Sequence, residues 1–238
     1  MSDYKPTVLS TEQADWFTGE FLLFGLLGKL LYTFPNLDWY RSLVADDVFA
    51  ELPLAADQPD AAAGLQRLQA WQAGLGGQLS DDTFDTLRSD YNRLFFGPGH
   101  LEAPLWESVH FNDERMLFQE QTAQVRNWYQ RFGLATTSAA REPEDHLGLE
   151  LTFLAHLAAQ GLQAIDDQRP ADVNALLAAQ CQFLREHPLR WVPTWYRLVE
   201  HEARTEFWRG IAQLTHGAVQ AVAQHLEVDR LVELELIR

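Results

Sequence analysis

Asp145 and His146 are neighbours in the sequence, and these residue types can act as an acid and a base in catalysis. They belong to a polar segment, Glu142-Pro143-Glu144-Asp145-His146-Leu147-Gly148-Leu149-Glu150, that is typical of a helix start. Acidic residues in a first helical turn interact favourably with the helix dipole, by about 0.3–1 kcal/mol each, which accounts for most of the pattern. An acid–base pair is therefore one candidate chemistry, and an ordinary helix start is the structural alternative.

Other catalytic and metal-binding motifs are incomplete. Gly28-Lys29 lacks the earlier glycine and the following serine or threonine of a phosphate-binding loop, and His201-Glu202 lacks the second histidine of a helical zinc protease. Glu107 and His110 have the Glu-x-x-His spacing of di-iron bundles, but the sequence contains no second pair. Ser108 has no Gly-x-Ser-x-Gly elbow around it. We therefore expect no metal, no cofactor and no enzyme activity.

A second notable region combines aromatic side chains with glycines and prolines. The segment Tyr91-Asn92-Arg93-Leu94-Phe95-Phe96-Gly97-Pro98 is followed by a loop over 103–109 that carries Trp106. A large aromatic side chain on a proline-braced loop loses little entropy when it becomes ordered, so it makes a good anchor for an apolar peptide. Most aromatic residues pack in protein cores, so core packing of Phe95 and Trp106 is the alternative.

The charge balance favours a basic partner. The chain has 18 lysines and arginines against 34 aspartates and glutamates, and its formal net charge is −16. Such a surface repels phosphate backbones and anionic bilayers, so we expect a basic peptide as partner and no nucleic acid. The single cysteine, Cys181, fits a reducing compartment. The N-terminus shows no export signal and the most apolar run, 21–31, is too short to span a membrane, so we expect a cytoplasmic protein without stable membrane insertion.

Helical patterns dominate the 238 residues, and they predict an all-α fold of about ten helices. One long helix is predicted over about 193–225. Pro143 is well placed as the first residue of another helix, so that Asp145 and His146 would lie in its first turn and could face a ligand. We expect this helix start to lie beside the Trp106 loop, although about 40 residues separate the two in sequence.

Small and polar residues over 135–141 are typical of a linker. They predict a hinge near 135–142 within a single helical domain, between subdomains at about 1–134 and 142–238. Such a hinge is also the place where two copies of the chain could exchange segments.

Three segments together resemble the TorD/DmsD family of redox-enzyme maturation chaperones. They are Tyr91 to Phe95 with Gly97-Pro98, the Pro104 to Val109 loop, and Glu142 to His146, whose Glu-Pro-x-Asp-His pattern is the most specific. The resemblance implies an all-helical cytoplasmic chaperone that binds the twin-arginine signal peptide of a molybdenum-cofactor oxidoreductase and assists its maturation before export. It also implies contact with the apoenzyme of that reductase, and it allows a homodimer formed by domain swapping.

The resemblance places the signal-peptide groove on seven residues, namely Tyr91, Leu94, Phe95, Trp106, Pro143, Asp145 and His146. A carboxylate beside aromatic walls suits a peptide with two guanidinium groups and an apolar stretch. Two alternatives stay open: a small-molecule enzyme that uses the Asp/His pair as acid and base, and a helical oligomerisation module. Guanine nucleotide binding is associated with the family, but the sequence shows no phosphate loop. These motifs do not identify the reductase that is the cargo.

Overall fold

The computed structural model describes residues 11–55, 58–97, 99–112, 116–135 and 142–228. Within these ranges the chain forms nine α-helices, one 3₁₀ helix and no strand, which confirms the predicted all-α fold of about ten helices. None of these helices has the length and hydropathy that a membrane span requires. The α-helices are α1 (Thr11–Tyr32), α2 (Leu37–Ala45), α3 (Pro59–Gly74), α4 (Asp81–Phe95), α5 (Glu120–Arg131), α6 (Leu147–Asp166), α7 (Pro170–Glu186), α8 (Pro188–Glu202) and α9 (Glu206–His225), and the 3₁₀ helix is Glu107–His110.

The predicted single helix over 193–225 is wrong, because the chain breaks between α8 and α9. Thr205 caps α9 with its side chain, which accepts a hydrogen bond from the backbone of the first turn. Asp90, which is buried in α4, accepts hydrogen bonds from the backbone N–H groups of Arg204 and Thr205 at 2.8 and 2.9 Å. A side chain more than 100 residues away in sequence therefore supplies the hydrogen-bond acceptor for the backbone N–H groups at this break.

Two helix pairs pack so closely that only glycine fits between them. α1 lies on α6, where a Cβ atom added at Gly28 would come within 2.9 Å of the Gly148 carbonyl oxygen. α3 lies on α9, where a Cβ atom at Gly217 would overlap the backbone nitrogen of Ala61. Both pairs belong to one large hydrophobic core. The core is thus built around two close backbone contacts between helices distant in sequence.

The stretch predicted to be a hinge, 135–142, lies outside the described residues except at its two ends. The α1–α6 and α3–α9 pairs each join a helix that precedes this stretch to a helix that follows it. The division into subdomains at about 1–134 and 142–238 stays a prediction.

Glu20 is a carboxyl group buried between α1 and α7. Its two oxygens accept hydrogen bonds from the Trp16 indole and the Gln180 amide, both at 2.6 Å. Burial raises the pKa of Glu20 to about 7, and the two hydrogen bonds only partly oppose this effect. The folded protein therefore holds Glu20 mainly in its protonated form below about pH 7.

We expect Glu20→Gln to change how stability depends on pH. The folded pKa, about 7, lies above the usual value of 4.5, so the wild type loses stability as the pH rises through this window. The free energy of unfolding of the wild type should fall by about 2–3 kcal/mol, whereas that of the uncharged glutamine variant should not fall for this reason. Urea unfolding of both proteins at about pH 5 and about pH 8 measures the difference. Equal pH dependence in the two proteins would contradict the burial of an ionisable group at this position.

Candidate functional site

The loop that carries Trp106 and the segment that precedes α6 lie side by side. They form an isolated antiparallel bridge, in which Glu107 N–H donates to the Asp145 carbonyl at 2.9 Å and Leu147 N–H donates to the Leu105 carbonyl at 2.7 Å. The predicted proximity of the two segments is confirmed. The bridge fixes the backbone at Trp106 to the start of α6.

The prediction that Pro143 opens the helix is wrong, because α6 begins at Leu147. His146 is the N-cap residue: its backbone is extended, and its Nδ1 atom accepts the N–H of Gly148 at 3.0 Å. Residues 144 and 145 form a turn, in which the His146 N–H donates to the Pro143 carbonyl at 3.3 Å, so Pro143 and Asp145 lie before the helix. The histidine and the glycine of the motif thus have structural roles at the helix start.

Asp145 does not face a ligand, which contradicts the expectation for a residue in a first helical turn. Its side chain is buried, with Oδ2 accepting the Ser108 N–H at 2.8 Å and Oδ1 accepting the Thr122 hydroxyl at 2.7 Å. The carboxylate therefore joins the 3₁₀ helix and α5 to the start of α6. Both of its oxygens are already used inside the protein.

His146 is also buried, and its ring lies between two aromatic neighbours. The rings of Tyr32 and Trp106 meet it edge-on, with centroid distances of 5.4 and 5.5 Å. Burial lowers the pKa of His146 to about 3, so the imidazole is neutral at neutral pH. Asp145 and His146 each bind different partners, so the acid–base pair of the enzyme alternative is not assembled.

Tyr91, Leu94 and Phe95 lie in the hydrophobic core. The Tyr91 hydroxyl donates to the Leu31 carbonyl at 3.2 Å, and the Phe95 ring packs edge-on against Trp208 at 5.4 Å. The core alternative considered for Phe95 is therefore correct for its side chain. The Leu94 carbonyl accepts the N–H of Ala103 at 3.0 Å, which ties this part of the core to the loop that carries Trp106.

A patch of aromatic side chains remains accessible next to these core residues. We define it by four residues: Tyr32, Phe34, Phe96 and Trp106. Tyr32, Phe34 and Phe96 are 38%, 45% and 51% exposed, and Trp106 is half-buried. The Phe34 ring contacts Phe96 at 5.4 Å and Tyr91 at 5.7 Å, while His146 connects Tyr32 to Trp106. Exposed aromatic side chains in one contiguous group are typical of a binding surface.

A cavity of about 330 Å³ opens beside the Trp106 indole. Its apolar lining includes Leu101, Pro104, Val109 and Leu117. The cavity can accept an aliphatic side chain next to the aromatic patch. The two features together form a continuous apolar surface on the loops around Trp106.

Glu142 is the accessible carboxylate at this surface. The Trp106 indole N–H donates to its Oε2 atom at 3.2 Å, and its charge adds to the effect of burial in raising the pKa of Tyr91. Glu142 is half-buried, and within the described part of the chain no lysine or arginine forms an ion pair with it. It can therefore form an ion pair with a cationic group of a ligand.

Four residues of this surface were not among the predicted site residues. Glu142 and Phe96 stand inside the recognised motifs, but their sequence neighbours were chosen instead. Tyr32 and Phe34 belong to an aromatic pair beside Pro35 at the end of α1, which is the type of signal that identified Trp106. No sequence motif links this pair to the Trp106 loop.

The two side chains of the Glu-x-x-His pair bind different partners. Glu107 bonds to His187 at 2.7 Å, and His110 bonds to the carbonyl of Pro104 at 2.9 Å. In the ranges that the structure describes, no group of three or more histidine, cysteine, aspartate or glutamate side chains is arranged to hold a metal ion.

Comparisons with known proteins agree on one family. The family model described as nitrate reductase delta subunit matches residues 55–197, which is more than half of the chain. The probable Tat proofreading chaperone DmsD of Haemophilus influenzae is 31% identical over 134 residues, 56% of this chain and 59% of that protein. The Tat proofreading chaperone DmsD of Salmonella typhi is 28% identical over 193 residues, 79% of this chain and 81% of that protein. The chaperone protein TorD of Aliivibrio fischeri is 24% identical over 165 residues, 69% and 72% of the two chains. Together with the helical fold, these matches establish that the chain belongs to the TorD/DmsD family.

Proposed function

We propose that this protein is a cytoplasmic chaperone that binds the twin-arginine signal peptide of a molybdenum-cofactor oxidoreductase and assists the maturation of that enzyme before export. The names of its relatives, Tat proofreading chaperone and chaperone protein, support this role and a function without catalysis. The observation that carries the proposal is the accessible aromatic patch around Trp106 with one open carboxylate, Glu142, at its edge.

The surface suits both halves of such a peptide. The aromatic patch and the adjacent cavity can bury the apolar stretch, for which large aromatic side chains are good anchors. A guanidinium group can pair with Glu142 and stack on the Trp106 ring, and both interactions favour arginine over lysine. The net charge of −16 attracts a basic peptide toward the protein at low salt.

The residues around Trp106 divide into two roles in this proposal. Trp106, which is the one predicted site residue in the patch, contacts the peptide directly together with Tyr32, Phe34, Phe96 and Glu142. The remaining predicted residues hold this surface in place from below: Tyr91, Leu94, Phe95, Pro143, Asp145 and His146.

The apoenzyme of the same oxidoreductase is the second proposed partner, and a domain-swapped homodimer is a proposed assembly. Because the α1–α6 and α3–α9 contacts join residues on the two sides of 135–142, an exchange at this stretch would re-form the same contacts between two chains. Light scattering after size-exclusion chromatography distinguishes the monomer from the dimer. Purification from the native cell, with identification of the bound reductase, identifies the cargo.

A matched pair of phenylalanines tests the peptide surface. Phe34 in the patch and Phe21 on α1 are both 45% exposed, but they are 13 residues apart along the chain. We expect Phe34→Ala and Trp106→Ala to weaken binding of a peptide with two arginines and an apolar run, Trp106→Ala by about 30-fold. Phe21→Ala should leave the affinity unchanged.

Isothermal titration calorimetry measures these affinities. The same peptide with both arginines replaced by glutamine should bind more weakly to the wild type. If the wild type binds the two peptides equally, or if Phe21→Ala weakens binding as much as Phe34→Ala, the proposed function or its location is wrong.

A further inference from the structure

A group of buried ionisable side chains lies directly behind the Trp106 loop. We call it the carboxyl cluster, and it consists of Glu107, Asp145, Glu150 and His187. Each of the four residues is at most 5% exposed. Glu107 lies in the 3₁₀ helix, Glu150 lies in α6, and His187 lies at the junction of α7 with α8. All four are buried, so a bound peptide does not touch their side chains directly.

The cluster has an uneven set of hydrogen bonds. His187 Nδ1 lies 2.7 Å from Glu107 Oε2, and the Trp191 indole donates to Glu150 Oε2 at 3.2 Å. The other oxygen of each glutamate, Glu107 Oε1 and Glu150 Oε1, is buried and has no donor in the described part of the chain. Buried carboxylate oxygens without donors are costly, so each requires an explanation.

One proton shared between Glu107 and Glu150 would supply the donor that their buried oxygens lack. The two side chains interact with each other, and two carboxyl groups can form a hydrogen bond only when one of them carries a proton. Burial, and then repulsion by Glu107 and Asp145, raise the pKa of Glu150 well above its usual value. The geometry and the electrostatics therefore place the proton on this pair.

In the described part of the chain, no lysine or arginine forms an ion pair with Glu107 or Glu150. α5 contributes the Tyr129 hydroxyl, whose pKa burial raises well above its usual value, and which donates to the Glu144 carbonyl. The Glu144 carboxylate pairs with Arg126 at 2.7 Å. The cluster itself contains three carboxyl groups against one imidazole, so losing the shared proton would leave excess negative charge in a dry interior.

We propose that Glu107 and Glu150 share one proton, and that this proton fastens the 3₁₀ helix to α6 and so positions Trp106 for peptide binding. Trp106 directly precedes Glu107, so a shift of the 3₁₀ helix moves the indole and its bond to Glu142. Deprotonation places two carboxylates against each other and releases the loop. Peptide affinity therefore falls as the pH rises on the alkaline side. The last step, on affinity, rests on the proposed function.

Infrared spectroscopy tests the proton without any peptide. At about pH 8.5 the wild type should show the carbonyl stretching band of a protonated carboxyl group, and Glu150→Gln should lack it. Glu20, whose pKa is raised to about 7, is ionised at this pH, so Glu20→Gln should leave the band in place. Absence of the band in the wild type, or its persistence in Glu150→Gln, would overturn the shared proton.

Peptide titrations at about pH 7 and at the alkaline pH at which the infrared band disappears test the positioning role. The peptide is acetylated and contains no lysine or tyrosine, so its own charge does not change. We expect the wild type and Glu20→Gln to lose about tenfold in affinity at the higher pH. Glu150→Gln keeps a neutral donor at the same place, so its affinity should change less than about twofold.

Glu107→Gln is the second variant, should Glu150→Gln not fold. Its amide can donate to the Glu150 carboxylate while its oxygen accepts from His187, so the alkaline loss should also disappear. An equal alkaline loss in wild type and folded variants would refute the positioning role. Absence of peptide binding to the wild type at both pH values would refute the proposed function, and the infrared result would then decide the shared proton by itself.

Discussion

Replacing Gly217 with alanine is expected to lower the free energy of unfolding by about 4 kcal/mol or more. The added methyl group would overlap the backbone of Ala61 in α3, and backbone atoms of a packed helix cannot turn away as a flexible side chain can. The contact is reciprocal, because a Cβ atom at Gly64 in α3 would overlap the backbone of Leu214 in α9. The overlap at either position could therefore be removed only if α3 and α9 moved apart along their whole contact.

Gly25→Ala is the matched control for Gly217→Ala. Gly25 also lies inside a helix, α1, but a Cβ atom there would meet nothing within 4 Å. Alanine has the higher helix propensity, so this variant should gain up to about 1 kcal/mol. Urea unfolding of both variants measures the contrast. A gain in stability at both positions would show that α3 and α9 are farther apart than the structure describes.

Helix ends that depend on local sequence can be predicted from it. Serine is a preferred N-cap residue, and Ser80 caps α4 by accepting the Thr83 N–H. Glycine is the usual residue after a helix end, and Gly133, with a φ angle of 76°, follows the end of α5. Both signals act within a few residues of the helix end. The sequence therefore contains all the information that these boundaries require.

Boundaries that depend on distant partners were predicted poorly. The late start of α6 at Leu147 is fixed by the bridge between His146 and Trp106, and the break before Thr205 is fixed by Asp90. Helix propensity at Pro143 favoured an earlier start, but the bridge uses the backbone groups that such a start would need. No local pattern could reveal these contacts.

The candidate site shows the same division. The motifs predicted which segments meet, but not which side of each segment is exposed. Asp145 and Glu142 are both acidic residues of one motif, three positions apart, and only the fold decides that the first is buried and the second is open. Exposure depends on what α5 and the 3₁₀ helix place above each residue.

Asp145→Ala should therefore affect stability far more than a surface acid would. Removing the carboxylate leaves the Ser108 N–H and the Thr122 hydroxyl buried without their partner, at a cost of about 1–3 kcal/mol for each group. Less repulsion on Glu150 offsets part of this cost, so we expect a net loss of about 3 kcal/mol. Urea unfolding at neutral pH measures it. A loss below about 1 kcal/mol would mean that Asp145 is solvated and free to meet a ligand.

Glu142→Gln should show the opposite behaviour, which separates the two acids of the motif. Glutamine keeps an acceptor for the Trp106 indole, so the free energy of unfolding should change by less than about 0.5 kcal/mol. The charge for an arginine is lost, so affinity for the twin-arginine peptide should fall about tenfold, and its dependence on salt should weaken. Under conditions in which Asp145→Ala is folded, its peptide affinity should keep the salt dependence of the wild type, because the Asp145 carboxylate does not contact the peptide. If Asp145→Ala loses the salt dependence and Glu142→Gln keeps it, the arginine is bound by the buried acid after the loop has moved, and Glu142 has no part in recognition.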